Sequence, residues 1–287
     1  MDGHAPRPLL WQVLSPLIFA AVPSLRGFMR DPRALPLKRW LYRTFLDPYT
    51  NLRPDRFETT SIYGARFEGT LSGLVQRRLF HFGIFEPNLT DWIWNALEPG
   101  DVFVDVGANV GYFTLLAARA VGPAGSVVAI EPAPSTFAAL CSNLERNGAT
   151  NVRALNLAAF DREAVMPIYT IQAEENAGGA SLAKVVGPVE AEITARPLAQ
   201  MLTGEEIART RVIKIDVEGA EVAAVTGLLP LLERIRFDVA IVVEVLPETK
   251  ADVCGLLGRF GLRPRELTNP PDPLTSPDRL EYLIFSR

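Results

Sequence analysis

Short runs of branched apolar residues recur along the chain, separated by stretches of helical periodicity. "DVFVDVG", "SVVAIEP", "RVIKIDV" and "FDVAIVVEV" are the clearest of them. Strands that are apolar on both faces need a sheet covered on both sides, and helices between them supply the crossovers that parallel strands require. "YFTLLAARAVG" and "PSTFAALCSNLERNG" read as such helices, closed by Gly122 and Gly148. "EGAEVAAVTGLLPLLERI" reads as a helix or two, and "ETKADVCGLLGRF" as another. "NVRALNLAAF" and "AVMPIYT" are further strands, and "GLRPREL" and "RLEYLIFSR" are terminal ones. The pattern predicts an α/β fold with a mostly parallel sheet. In such sheets ligands sit beyond the carboxyl ends of the strands, so the residues that end the strands matter most.

Upstream the pattern differs. Residues 1–54 are Pro-rich and helix-prone and hold no motif. Within them, Leu9 to Met29 is an apolar stretch broken by Gln12, Ser15, Pro16 and Pro23. It is too interrupted for the ~20 apolar residues of a membrane span. It reads as an amphipathic helix docked on the domain or lying at an interface, and the basic residues Arg26, Arg30, Arg33, Lys38, Arg39 and Arg43 that follow suit an anionic membrane surface. Residues 55–84 read as a small antiparallel strand region: "FETTSIY" and "ARFEGTL" alternate about Gly64, and "GLVQRRLFHF" is a third strand candidate. Residues 85–287 form the main domain, entered by a helix capped near Asn88 or Thr90. A cytoplasmic protein with peripheral membrane contact is the expected setting.

The rare residues exclude several chemistries. Cys141 and Cys254 are the two cysteines and form no CxxC pair, which rules out a disulfide scaffold and a multi-cysteine zinc site. His4 and His81 are the two histidines, too few for an HExxH zinc site. His81 sits between aromatics and reads as a packed or edge-strand residue. The formal net charge of −4 lacks the basic footprint of a nucleic-acid binder.

Four strand ends concentrate polar residues. The first ends in Asp105-Val-Gly107-Ala-Asn109-Val-Gly111. A dinucleotide fingerprint needs its second glycine so that backbone can approach a pyrophosphate, and here that position is Asn109. Asp105 suits a ligand that carries positive charge, such as S-adenosylmethionine (SAM). The second strand ends in Glu131, at the place of a ribose-hydroxyl partner. "KIDVEGAE" ends the fourth with Asp216, Glu218 and Glu221, and Glu244 ends the fifth. Acids that face one cleft shift each other's proton affinity and can supply a base.

Taken together, "DVGANVGYFT", "AIEP", "NLERNG", "KIDVEGAEVAAVTG", "FGIFEPNL" and "NAGGASL" resemble the FkbM family of class I SAM-dependent methyltransferases over about Gln76 to Arg287. The resemblance implies a Rossmann-like sheet of seven strands, the last antiparallel, with helices on both faces and an N-terminal helical and antiparallel extension. It implies that Asp105, Gly107, Asn109 and Gly111 form the SAM loop and that Glu131 holds the ribose. Asn156, Ala158 and Ala159 match the stretch near the adenine, Glu86 an acid that faces the methionine end, and Ser181 a loop position over the site. The acidic stretch this family commonly carries before its fourth strand is "RPLAQML" here, and Glu244 is followed by Val245 and Leu246 where a histidine is common.

The expected chemistry is methylation of a hydroxyl on a sugar or natural-product acceptor. Glu218 and Glu244 are the candidate bases and Asp216 orients. The rim carboxylates could instead hold Mg²⁺, and no residue is assigned as a metal ligand. Two other readings stay open at this point: a non-catalytic SAM-fold partner in a biosynthetic complex, and a nicotinamide-dependent oxidoreductase. Acceptor choice is expected to lie in the first eighty residues and in the loop from Glu174 to Gly187, a lid that orders with ligand.

Overall fold

A computed structural model describes residues 29, 37, 40–46, 56–71, 73–170, 180–181, 188–217, 219–267 and 281–287. The segment Leu9 to Met29 lies outside them except for Met29, and so does the loop from Glu174 to Gly187 except for Ala180 and Ser181. No described helix is long and apolar enough to cross a membrane.

A short helical turn, Tyr42–Leu46, precedes an antiparallel pair, β1 (Arg56–Thr60) and β2 (Arg66–Thr70), turned at Gly64. "GLVQRRLFHF" is not the third strand that its aromatics suggested. Leu74–Phe82 is a helix, α1, ended by Gly83 in a left-handed conformation at φ 70°. Leu79 and Phe82 bury one side of it, and His81 is buried beside the rings of Tyr42, Phe80 and Phe82. Burial spaced by helical steps, with a glycine cap, outweighs β propensity. Pro87–Ala96 follows as α2, with proline in its first turn, where no backbone donor is needed.

The body is a seven-stranded sheet. β3 (Val102–Val106) leads through α3 (Tyr112–Val121) to β4 (Ser126–Ile130), then through α4 (Pro134–Asn147) to β5 (Val152–Leu155). The chain leaves this sheet for β6 (Ala158–Ala159), β7 (Ala164–Thr170), β8 (Ala180–Ser181) and β9 (Val189–Arg196), a second sheet ordered β6-β9-β7-β8. The expected single strand "NVRALNLAAF" is thus split, with Asn156 at the crossing. The short helices α5 (Leu198–Met201) and α6 (Gly204–Arg209) return the chain to β10 (Thr210–Ile215). Helix α7 (Glu221–Leu228), β11 (Ala240–Val245), α8 (Lys250–Gly258), β12 (Arg263–Glu266) and β13 (Glu281–Ser286) complete it. The order is β12-β13-β11-β10-β3-β4-β5, and β13 runs antiparallel to both neighbours.

Side chains alternate across the sheet. Val102, Val104 and Val106 pack into one core with Ile213, Ile215, Ile241 and Val243, and Phe103 packs into the other with Val127, Val212 and Val242. The glycine at 227 lets α7 lie on the second sheet, since a Cβ there would sit 2.0 Å from the Phe160 carbonyl oxygen. Two asparagines of α4 fasten the N-terminal strands. Asn147 accepts from the Arg66 N–H at 2.9 Å and donates to its carbonyl at 2.7 Å. Asn143 accepts from the Glu68 N–H at 3.0 Å and donates to the Val110 carbonyl at 2.9 Å.

Candidate active site

A cavity opens at the carboxyl ends of β3, β4 and β10, where strand order reverses direction. Gly107, Asn109, Glu131, Ala158, Ala159 and Asp216 are among its lining residues. The turn after β3 is locked from within. Gly107 and Ala108 donate to the Ile130 carbonyl at 2.9 and 3.0 Å. Asn109 N–H donates to Glu131 Oε2 at 2.9 Å, Val110 N–H to Asn109 Oδ1 at 2.8 Å, and Gly111 N–H to the Ala108 carbonyl at 2.9 Å. Gly107 takes φ +79°, and a Cβ on it would lie 1.8 Å from the Asp216 carbonyl oxygen. Asn109 also has positive φ, 49°, which asparagine tolerates.

This geometry separates two nucleotide chemistries. A pyrophosphate needs free backbone donors, and every N–H from Gly107 to Gly111 is already spent. Glu131 stands beside the turn and repels phosphate. The nicotinamide reading fails on both counts. A ligand with a ribose, a flat base and positive charge meets the right groups instead. Glu131 is buried and also accepts from the Ala133 N–H at 3.0 Å, yet burial pushes its carboxyl up to about 7. Ala158, Ala159 and Ile168 form an apolar wall beyond it. SAM fits this donor and acceptor set.

Period two along the strands builds the other end of the cavity. Lys214 on β10 lies in register with Asp105 on β3, so both point to one face. Glu244 on β11 and Tyr282 on β13 are likewise paired. Lys214 is fully buried. Its Nζ lies 3.5 Å from Asp105, 3.1 Å from Asp216 and 3.3 Å from the Gly107 carbonyl, and 5.1 Å from the centre of the Phe113 ring. Burial works to lower its proton affinity, but Asp216, Asp105 and Glu86 together hold it above the ordinary lysine value. Asp105 is 0% exposed and also accepts from Thr114 Oγ1 at 2.6 Å. Asp105 thus lies beneath the turn with Lys214 as its cation, not in the cavity wall where its charge was expected to meet a ligand directly.

The remaining expected residues divide clearly. Glu86, Asp216 and Glu244 line the cavity. Glu86 sits at φ 42° just ahead of α2, and Tyr282 Oη donates to its Oε2 at 2.7 Å. Burial, with Asp216 next, pushes the Glu86 carboxyl up to about 7. Asn156 holds the end of β4 from behind, donating to the carbonyls of Glu131 and Pro132 at 2.9 Å. Gly111 caps α3 at φ +91°. Ser181 pairs with Tyr169 across β7 and β8. Glu218 lies outside the described residues. Among those described, no group of three or more His, Cys, Asp or Glu is arranged to hold a metal ion.

Lys214 and Tyr282 were missed from the sequence. Lys214 shares strand parity with Asp216 two residues on, which is the signal that finds it, whereas Tyr282 meets Glu244 only through the register of β11 and β13. Gly73, Leu74, Val75 and Gln76 were missed as cavity wall, because they read as a strand.

The comparisons with known proteins agree with the geometry. A relative from Beauveria bassiana (strain ARSEF 2860), "Methyltransferase 1", is 31% identical over 150 residues, covering 45% of this chain and 59% of its own. The "31-O-demethyl-FK506 methyltransferase FkbM" of Streptomyces tacrolimicus is 35% identical over 147 residues, covering 47% of this chain and 56% of its own. The chain therefore spans little more than half the length of these curated relatives. A solved methyltransferase FkbM from Methylobacillus flagellatus KT is 14% identical, with a TM-score of 0.47, over 94% of this chain and 60% of that one. The model of the methyltransferase FkbM domain matches residues 105–263, which hold the locked turn, Glu131, Lys214, Asp216 and Glu244. With more than half of its length so matched, and with a cavity suited to SAM, the cofactor of that family, this chain belongs to the methyltransferase FkbM family.

Proposed function

We propose that this protein is a SAM-dependent O-methyltransferase whose acceptor is a hydroxyl of a sugar or another natural product. The observation that carries the cofactor half is the locked turn: its N–H groups are consumed internally and by Glu131, leaving a carboxylate where a ribose hydroxyl can donate. The oxygen acceptor draws support from the relative named for 31-O-demethyl-FK506. When bound, SAM supplies a methyl group already activated on a sulfonium, so the protein's part is positioning and proton removal. Glu244, 6% exposed and lining the cavity, takes the hydroxyl proton. Asp216 orients the acceptor, fixed at 3.1 Å by Lys214. Glu218 remains a second candidate base on the sequence pattern. Phe85 and the stretch from Gly73 to Gln76 wall the acceptor side.

Calorimetric titration of SAM into wild type and Glu131→Ala tests the cofactor half. Tight binding by wild type and at least about tenfold weaker binding by the variant is expected, the loss of charge-assisted hydrogen bonds being about 1.5–3 kcal/mol. No binding by wild type would overturn it. A screen of hydroxylated acceptors with labelled SAM, with and without Mg²⁺, then tests the oxygen-acceptor half, and transfer to amines alone would refute it.

A further inference from the structure

The methyl-donor end of the cavity holds more carboxylates than cations. Glu86, Asp216 and Glu244 line it, and Lys214 is the one cation among its described lining residues. That ammonium is already committed to Asp105 and Asp216. Asp216 is the nearer of the two at 3.1 Å, and burial holds the Asp105 carboxyl above its ordinary value. With one ammonium against three lining carboxylates the cavity carries surplus negative charge, and Glu86 carries part of it.

Glu86 is fixed there by construction. Its backbone is in the left-handed region, Pro87 starts the next helix, and Tyr282 Oη holds one carboxyl oxygen at 2.7 Å. Charged and titratable groups face it from every side. Asp216 opposes its ionisation, and Lys214 and Arg78 favour it. Tyr112 on α3 and Tyr282 on β13 are buried phenols whose own ionisation is suppressed, first by burial. Glu244 stands opposite Tyr282 in register.

We propose that Glu86 is the residue by which this site distinguishes the cationic methyl donor from its neutral demethylated product. This rests on the reading of the site as one for SAM. Donor and product share adenine, ribose and amino acid, and they differ by one methyl group and the positive charge on sulfur. Where the effective dielectric is well below that of bulk water, one unit charge a few ångströms from a carboxylate is a strong term. Loss of that charge on transfer removes the attraction, so the same carboxylate that favours donor entry favours product release.

The sign of the pH dependence follows. Burial, with Asp216 adding to it, pushes the Glu86 carboxyl up to about 7 in the ligand-free protein. Below that pH it holds a proton and is neutral. A cationic ligand favours the ionised form, so donor binding expels the proton, and preference for the donor weakens as pH falls. Glu131 also titrates near 7, but it meets a ribose common to both molecules and cancels from their ratio.

The test is the ratio of SAM to S-adenosylhomocysteine affinity, measured by calorimetry at about pH 6 and about pH 7.5. In wild type the preference for SAM grows between about fivefold and tenfold over that interval, the change expected of one carboxyl titrating near 7. In Glu86→Gln, whose amide oxygen still accepts from Tyr282, the ratio loses that growth while both ligands still bind. An unchanged ratio in wild type, or the same growth in Glu86→Gln, overturns the proposal and leaves the cofactor reading standing. Failure of wild type to bind either molecule overturns the cofactor reading and this inference with it.

Discussion

Replacing Lys214 by methionine removes one ammonium and little volume. In the native protein that ammonium faces Asp105 at 3.5 Å and Asp216 at 3.1 Å, and Asp105 has no exposure to water. Asp216, about 22% exposed at its side chain, can recover hydration after the change, but Asp105 cannot. Breaking a buried pair from one side costs about 3–5 kcal/mol, because the remaining charge is stranded. A chain of this size loses about 2–4 °C of Tm per kcal/mol, so a fall of roughly 10 °C is expected for Lys214→Met. The stranded carboxyl can escape by taking a proton. Burial already holds that carboxyl above its ordinary value with Lys214 in place, and losing the ammonium raises it further, so the variant's deficit grows as pH rises above the native value and shrinks on the acid side. Adding Asp105→Asn removes the stranded charge and should recover most of the loss. Urea unfolding of wild type, single and double variants at about pH 5.5 and about pH 7.5 decides the matter. A Lys214→Met deficit under about 1 kcal/mol, or a double variant no more stable than the single, would refute the reasoning.

Further outcomes follow from the same geometry. Gly107→Ala forces a Cβ to within 1.8 Å of the Asp216 carbonyl oxygen at φ +79°; stability should drop by more than about 2 kcal/mol, read by urea unfolding, with SAM affinity falling in parallel. The Glu131 carboxyl is raised from 4.5 to about 7 by burial. The ligand-free protein should therefore lose stability as pH rises through that window, by up to about 3 kcal/mol. Glu86 titrates in the same window, so Glu131→Gln should roughly halve the combined slope, and an unaltered slope would count against it. Glu244→Gln should slow single-turnover methyl transfer by about a hundredfold at saturating SAM. A transfer rate close to wild type would move the base elsewhere on the rim.

The parts of the fold that depend on period and punctuation were legible in the sequence. Valine-rich strands and glycine-closed helices stand in the seven-stranded order, whose antiparallel final strand is what the family resemblance implied. Strand ends also located Glu131, Asp216 and Glu244, because a parallel sheet gathers its carboxyl ends on one edge. Burial was harder to read. Asp105 and Glu131 have the same charge at equivalent strand ends, but one is covered by Thr114 and Lys214 and the other lines a cavity. Which one meets solvent depends on α3 folding back over β3, a tertiary event with no local signature. "GLVQRRLFHF" went the wrong way for a related reason. Its aromatics favour a strand, while the glycine at 83 and the packing of Leu79 and Phe82 select a helix. The wall from Gly73 to Gln76 was lost with it.

Asn143 joins two things usually treated apart. One end of its amide holds strand β2, and the other holds Val110 in the locked turn. Strand β2 ends at Thr70, three residues before the wall begins at Gly73. An acceptor seated against that wall, as proposed above, would load β2 and, through one side chain, the turn beside the proposed SAM site. Coupling carried by that side chain would be reciprocal, each ligand sensing the other by the same factor. Cutting the amide with Asn143→Leu would leave two binding sites that no longer report on one another.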